Sequence, residues 1–175
     1  MTQPAGKNPE VILETSLGLI KLELFPDQAP VTVANFLTYV REGFYDGLLF
    51  HRIISNAIVQ GGGFLPGMVC REPTHPAIVN EAQNGLNNER GTIAMARAYP
   101  IDSAATQFYI NVVDNHTLDH RGSDPLEYGY AVFGRVVEGM EVVGKMTWMP
   151  SGPAGDHRNV PQEDIVILKA SVVED

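Results

Sequence analysis

Apolar and polar side chains alternate near the start of the chain. In segment 19–25, LIKLELF, the apolar residues Ile20, Leu22 and Leu24 occupy every second position. A period of two indicates a β-strand with one buried face. Segment 11–15, VILET, is also β-prone and precedes it across a short Leu-Gly connection. The two segments are therefore predicted to pair as a hairpin.

After Pro30 the period changes to that of a helix. Val33, Phe36, Leu37 and Val40 lie at i, i+3, i+4 and i+7, which places them on one apolar stripe. Proline is favoured at the first position of a helix, and the glycine shortly after the stripe favours its end. The pattern predicts one amphipathic helix. A second, shorter helix is predicted for GMEVVGKMTW near the end of the chain.

The remaining apolar segments are short and separated by Gly- and Pro-rich turns. Six of them are predicted as strands: LLFHRII, AIVQGG, GTIAMA, QFYINVV, YAVFGRVV and the closing DIVILKASVV. Eight strands and two helices without β–α–β alternation favour an antiparallel barrel or sandwich over a parallel sheet. Residues 65–90 are irregular for longer than a turn requires, which is typical of a segment that lines a site. Residues 1–10 are polar, contain two prolines and are predicted to be a flexible arm.

Length, charge and cysteine content exclude several classes of protein. The 175 residues suit one domain, and a composition of 44% hydrophobic and 19% charged residues is typical of a globular protein. The net charge of −9 disfavours a nucleic-acid partner and is explained by solubility. The single cysteine, Cys70, excludes an intrachain disulfide and a metal site built on paired cysteines.

The sequence has no signal-peptide pattern at its start and no run of about 18 apolar residues, so we expect no membrane partner and a cytoplasmic location. A mature secreted (periplasmic) domain with an added start methionine would have the same features, and both locations remain open.

Candidate chemistry in the motifs is sparse. Phosphate-binding and serine-nucleophile motifs are absent, and the glycines at 61–63 are predicted to permit a bend. His116 and His120 are four residues apart, a spacing that can hold a metal on a helix, but the surrounding sequence predicts a turn. His51 lies in an apolar strand and is predicted to be a hydrogen-bonded structural residue. No metal site is expected.

Segment 50–64, FHRIISNAIVQGGGF, places charged and amide side chains in an apolar, β-prone stretch. The guanidinium of Arg52 keeps its charge, so Arg52 either faces solvent or must find partners. A two-residue turn at Ser55 and Asn56 would put Arg52 and Gln60 on opposite faces, whereas a bulge or a longer loop would put them on the same face. The periodicity alone leaves both arrangements open.

The motifs taken together resemble one family. FHRII and QGGGF, followed by NEAQNGL, RGTIAMARA, SAATQFYINV and FGRVVEGMEVV, are similar to the corresponding segments of cyclophilins, which are peptidyl-prolyl cis–trans isomerases, and most similar to the bacterial branch. The resemblance covers about residues 11–173. It implies a mainly β fold, a closed eight-stranded antiparallel β-barrel capped by two helices, formed by residues 11–175 as one domain.

The resemblance also implies the reaction and its residues. Arg52 would be the catalytic hydrogen-bond donor to the proline nitrogen, and Gln60 would orient it; the backbone of residue 97 would hold the peptide. The implied substrate-binding residues are Ala57, Ile58, Met95, Ala96, Arg97, Ala98, Gln107, Tyr109, Leu118 and Tyr130. The implied partners are proline-containing polypeptides, unfolded or partly folded, with no cofactor, and we expect a monomer.

Several positions depart from the family pattern. Ala57 stands where the family places a phenylalanine in the pocket, Ile58 replaces the usual methionine, and Tyr109 replaces a second phenylalanine. Thr117 stands where many members carry tryptophan or phenylalanine, and Tyr130 is common in the bacterial branch. Because alanine supplies little of the apolar wall that a phenylalanine ring provides, two functions remain: an active prolyl isomerase, or a module that binds proline-containing peptides with weak or no catalysis.

Overall fold

The computed structural model describes residues 7–174, which form a mainly β structure. The twelve strands are β1 (Glu10–Thr15), β2 (Gly18–Leu24), β3 (Arg52–Ile54), β4 (Ile58–Gly61), β5 (Phe64–Leu65), β6 (Val69–Cys70), β7 (Thr92–Met95), β8 (Phe108–Asn111), β9 (Val132–Glu138), β10 (Ser151–Ala154), β11 (His157–Pro161) and β12 (Ile167–Val172). The helices are α1 (Pro30–Arg41), α2 (Pro125–Tyr128) and α3 (Met140–Thr147), with a 3-10 turn at His116–Leu118.

Eight strands form one antiparallel sheet in the order β12-β1-β2-β9-β7-β8-β4-β3. The predicted β1–β2 hairpin is confirmed: Val11 pairs with Leu22, and Thr15 pairs with Gly18. Two separate two-stranded sheets, β5–β6 and β10–β11, accompany it. The predicted segments all contain strands of the main sheet, and the two small hairpins were not predicted because neither shows a run of alternating apolar residues.

The prediction of a closed barrel is wrong in one respect. The sheet is curled, but its edge strands β3 and β12 do not pair along their length in the described part of the chain. The gap is bridged just before the start of β3 by an isolated bridge between Leu49 and Val166 and by the Phe50 N–H, which donates to the Ile165 carbonyl at 2.9 Å. Strand β3 has only three residues, and β11 packs beside it, so a continuous ladder to β12 does not form.

Helix α1 fills the concave side of the sheet. Its predicted stripe is buried, and Phe36 lies 5.2 Å from the ring of Phe133 and 5.6 Å from that of Phe108. The helix has no side-chain cap from its own N-cap residue. Instead the carboxylate of Glu81 accepts the Thr32 N–H at 2.7 Å, so the long irregular segment supplies the cap. Three helices are present where two were predicted. The additional helix, α2, is a single turn without an apolar stripe, so the sequence pattern did not indicate it.

The first strand begins inside the predicted N-terminal arm. The Pro9 carbonyl accepts the Leu24 N–H at 2.9 Å, and the Asn8 amide donates to Glu23 at 3.0 Å, so residues 8–10 are attached to the sheet. Positions 1–6 of the predicted arm lie outside the described residues. No helix among residues 7–174 combines the length and the apolar character needed to cross a bilayer.

Candidate active site

The length of the β3–β4 connection determines whether Arg52 and Gln60 lie on the same face of the sheet. Ile54 pairs with Ile58, so the connection has three residues rather than two. The Ala57 N–H donates to the Ile54 carbonyl at 3.0 Å, and Asn56 takes a φ of +58° at the third position of this turn. Asparagine is favoured at a turn position that needs positive φ. The longer loop puts Arg52 directly opposite Gln60, on the same face.

This pairing extends into a row across four strands. Gln60 pairs with Tyr109 of β8, and Tyr109 pairs with Ala94 of β7. Residues directly opposite in an antiparallel sheet point to the same face. Arg52, Gln60, Tyr109 and Ala94 therefore line up on the outer face of the sheet, away from the core that α1 fills.

A short chain of hydrogen bonds fixes the guanidinium in this row. Arg52 Nη1 donates to Gln60 Oε1 at 3.0 Å, and Gln60 Nε2 donates to Gln107 Oε1 at 3.0 Å. Because a guanidinium can only donate, the carbonyl oxygen of the Gln60 amide must face Arg52, and its nitrogen must face Gln107. No carboxylate among the described residues lies within ion-pair distance of Arg52. Its other N–H groups remain available to a ligand.

Two of the glycines at 61–63 affect this chain of hydrogen bonds in different ways. Gly62 takes a φ of +91°, which bends the strand as predicted. A Cβ at Gly63 would lie 2.6 Å from Gln107 Nε2, so any side chain there would displace the amide that holds Gln60. The absence of a side chain at Gly63 therefore allows Gln107 to keep the position in which it binds Gln60.

A cavity of about 370 Å³ opens beside Arg52, and we call it the first cavity. Its walls combine apolar side chains with a few polar groups. The lining residues are Arg52, Ile54, Ala57, Ile58, Gln60, Ala96, Arg97, Tyr109, Asn115, Thr117, Leu118 and Tyr130. Nine of these, Ala57 and Ile58 among them, were predicted for the catalytic or substrate site, and Thr117 was singled out as a departure from the family. Ile54 and Asn115 were missed because both look like ordinary strand and turn residues.

A second cavity of about 350 Å³ adjoins the first. Arg97, Ala96 and Gln60 line both cavities. The second cavity brings in the predicted residues Ala98 and Gln107 and adds Pro73, Ser103, Ala105 and Thr106. Pro73 belongs to the long irregular segment, which therefore does contribute to a cavity wall. The predicted residues thus divide between two adjoining spaces.

Met95 is the predicted substrate residue that the structure places elsewhere. It is 2% exposed, belongs to the main core, and lines neither the first nor the second cavity. Its neighbour Ala94 belongs instead to a small cluster on the outer face with Ile58 and Tyr109. Successive strand residues point to opposite faces, so only every second residue of β7 faces the site.

Comparison with known proteins now decides the family. Residues 10–172 match the family model described as cyclophilin type peptidyl-prolyl cis-trans isomerase/CLD. The chain belongs to the cyclophilin family. It is 49% identical over 164 residues to peptidyl-prolyl cis-trans isomerase B of Escherichia coli, covering 94% of this chain and 99% of that protein. It is also 49% identical over 163 residues to peptidyl-prolyl cis-trans isomerase cyp18 of Streptomyces antibioticus, covering 93% and 98%.

Solved structures agree with the fold. The crystal structure of a cyclophilin type peptidyl-prolyl cis-trans isomerase of Cryptosporidium parvum matches with a TM-score of 0.78 at 26% identity, covering 96% of this chain and 99% of that one. A second structure of the same protein, determined in the presence of the dipeptide Ala-Pro, matches with a TM-score of 0.77. The resemblance inferred from the motifs is therefore confirmed at the level of family and fold.

In this cyclophilin the phenol of Tyr109 continues into a buried polar network. The hydroxyl donates to Asn88 Oδ1 at 2.7 Å, and burial raises the pKa of Tyr109 well above its usual range. Asp119 Oδ1 accepts the Asn88 N–H at 2.6 Å and so connects the network to the segment that follows the 3-10 turn. Asn88 is fully buried but carries no motif that marks it, so the sequence analysis missed it.

The two histidines considered as metal ligands have other partners. His116 Nδ1 lies 2.9 Å from Asp119 Oδ2, and the hydrogen bond to Asp119 raises the pKa of His116. Burial acts to raise the pKa of Asp119, but hydrogen bonds from Asn88 and His116 outweigh it, and that pKa is lowered. His120 Nδ1 lies 2.8 Å from the Tyr128 carbonyl. Residues 7–174 contain no group of three or more His, Cys, Asp or Glu residues arranged to hold a metal.

His51 differs from the predicted hydrogen-bonded residue. It is 4% exposed, its ring lies 4.6 Å from that of Phe64, and its Nδ1 is buried without a hydrogen-bond partner in the described structure. Burial, with smaller contributions from the charges of His157 and Arg52, lowers the pKa of His51 to about 4. The prediction of a structural histidine therefore holds for its burial, whereas the expected hydrogen bond at Nδ1 is absent.

Proposed function

We propose that this cyclophilin isomerises X–Pro bonds in unfolded or partly folded polypeptides, with Arg52 as the catalytic donor. The observation that carries the proposal is the guanidinium held by Gln60 and Gln107 at the wall of the first cavity, with donors left over for a ligand. Membership of the family supports the reaction, and this geometry supports the roles proposed for Arg52 and Gln60.

The reaction requires a twisted amide. Resonance gives the X–Pro C–N bond partial double-bond character, and the barrier to rotation is about 20 kcal/mol. In the twisted state that resonance is lost, and the proline nitrogen regains a lone pair that can accept a hydrogen bond. An enzyme accelerates rotation by binding this state more tightly than the planar amide.

Arg52 is suited to that task. Its charge is permanent, and its Nη1 is fixed by Gln60, so another N–H of the same planar group can point into the first cavity without reorganisation. The apolar side chains of Ile58 and Leu118 offer a surface for the proline ring. Ala96 and Arg97 line both cavities, and in this proposal their main chain holds the peptide that precedes the proline.

The test is an Arg52→Ala variant in a protease-coupled assay on an Ala-Pro peptide. Losing one donor directed at a transition state typically costs about 3 kcal/mol, so we expect kcat/KM to fall by roughly a hundredfold. The unfolding midpoint should change little, since Arg52 makes one hydrogen bond. Arg41→Ala is the control, because Arg41 is an exposed residue at the end of α1.

Retention of wild-type activity by Arg52→Ala would contradict the assigned role. Binding of the peptide by the wild-type chain without any turnover would instead support the alternative of a peptide-binding module, for which the small Ala57 side chain is the motivating feature.

A further inference from the structure

The side chain of Arg97 makes contacts that its main-chain role does not require. Its Nη2 donates to the Pro125 carbonyl at 2.7 Å, and its Nε donates to the Gly129 carbonyl at 3.0 Å. Its Nη1 donates to the carbonyls of Ala98 and Tyr99 at 3.0 and 3.2 Å. All three nitrogens of the guanidinium are thus committed to main-chain oxygens, and four of its five N–H donors are used.

The same guanidinium covers an aromatic ring of the first cavity. Its carbon atom lies 4.9 Å from the centre of the Tyr130 ring, a cation–π distance. Tyr130 in turn meets Tyr109 edge-on, with ring centres 5.9 Å apart. Arg97 therefore supports one wall of the cavity from behind.

Apart from Tyr130, the segment that Arg97 holds has little apolar packing of its own. Residues 119–130 contain only the single turn α2, and the largest apolar side chain in that turn, Leu126, is 77% exposed. Polar contacts must therefore order it. On one side Asp119 accepts the Asn88 N–H. On the other, Arg97 donates to the carbonyls of Pro125 and Gly129, and the Gly129 carbonyl also accepts Asn80 Nδ2 at 3.1 Å.

We propose that the Arg97 side chain is a positioning residue that joins residues 97–99 to residues 125–130 and so fixes the rim of the first cavity. The proposal rests on the proposed function, because the rim matters only if a peptide binds there. Arg97 lines both cavities, but because its guanidinium is bonded to main-chain carbonyls, we do not expect it to pair with a carboxylate of the substrate.

The proposal predicts a specific kinetic signature. Arg52 and Gln60 also line the first cavity, but they and Gln107 bond to one another, not to Arg97. Removing the Arg97 side chain should loosen the rim and leave this donor chain intact. We expect Arg97→Ala to raise KM roughly tenfold while kcat stays within about threefold of wild type.

Two comparison variants separate positioning from charge and from general stability. Arg97→Lys keeps the charge, but one ammonium cannot bond to Pro125 and Gly129 and also cover Tyr130, so KM should rise as in Arg97→Ala. Arg71 makes the same kind of contacts elsewhere: its Nη1 donates to the Phe44 and Asp46 carbonyls at 2.7 and 3.1 Å, and it lies 5.8 Å from the Phe44 ring. Arg71→Ala should lower stability and leave KM unchanged.

Hydrogen exchange provides a readout that does not depend on turnover. Amides of residues 119–130 should exchange faster in both Arg97 variants than in wild type, and at wild-type rates in Arg71→Ala and Arg52→Ala. A wild-type KM in Arg97→Ala, rescue of KM by Arg97→Lys, or a fall in kcat as large as the rise in KM would overturn the proposal. If the wild-type chain binds the Ala-Pro peptide without isomerising it, the proposed function fails, and the dissociation constant of the same peptide then takes the place of KM.

Discussion

Ala57→Phe is the substitution that tests the shape of the first cavity most directly. Ala57 lines this cavity between Ile54 and Asn115, where the family pattern has an aromatic ring. Its main chain is held on both sides: the N–H donates to the Ile54 carbonyl at 3.0 Å, and the carbonyl accepts the Val112 N–H at 2.9 Å and Asn115 Nδ2 at 3.1 Å. A ring added at this position must therefore enter the cavity, because the backbone cannot move away from it.

The magnitude follows from the apolar surface that the ring would cover. Fully burying an apolar side chain contributes about 1.5–3 kcal/mol, and the proline ring of a substrate is of similar size. Contact with one new wall should gain about 1.4–2.7 kcal/mol, which corresponds to a roughly ten- to hundredfold higher kcat/KM in Ala57→Phe. If the wall holds planar and twisted amides alike, KM alone should fall; if it also presses the ring toward Arg52, kcat should rise as well.

The assay is the steady-state isomerisation of one Ala-Pro peptide by wild type and Ala57→Phe, with kcat and KM measured separately. Ala34→Phe is the control, because Ala34 is exposed on α1 and lines neither cavity. Equal efficiency of the two proteins, or a slower Ala57→Phe, would refute the reasoning. It would mean that the cavity as it stands already fits the proline ring and that the alanine is no defect.

Two further predictions concern acid stability and drug binding. The pKa of His51 is lowered to about 4 in the folded chain, so as the pH falls the unfolded chain protonates this imidazole first. The free energy of unfolding is therefore at its full value above about pH 6.5 and declines by about 3 kcal/mol towards pH 4. Urea unfolding at pH 7 and 4.5 should show this loss in wild type and in His75→Gln but not in His51→Phe. Cyclosporin should inhibit weakly, because a tryptophan at the position of Thr117 helps to bind the drug in sensitive family members, and threonine lacks its ring and N–H. Nanomolar inhibition of wild type, or no increase in cyclosporin affinity in Thr117→Trp, would contradict this.

The sequence predicted the elements that local pattern determines. The stripe from Val33 to Val40 and the alternation in segment 19–25 each reflect one buried face, and both are confirmed. It could not predict the cap of α1, because Glu81 reaches Thr32 from 49 positions along the chain. Short polar elements such as α2 and β10–β11 carry no periodicity, and tertiary contacts alone determine them.

The candidate site was predictable in its residues but not in its arrangement. The family motifs singled out Arg52 and Gln60, whereas periodicity left open which faces they occupy. Asn56 contained the decisive signal, since asparagine tolerates the positive φ that a three-residue connection uses here. Two polar residues, Asn88 behind the wall and Asn115 in it, have no sequence signature because their role depends on strands that are distant in the chain.

The proposed donor, Arg52, and the rim of the first cavity are held by different parts of the fold. Arg52 is fixed within a row of paired strands, where a change of register would move every side chain to the other face. The rim at Leu118 and Tyr130 belongs to a segment that side-chain hydrogen bonds of Asp119 and Arg97 connect to the rest of the fold, and these bonds can change one at a time. Substitutions at the rim or at Ala57 can therefore alter which peptides bind and how tightly, while the donor that the proposed mechanism requires stays in place.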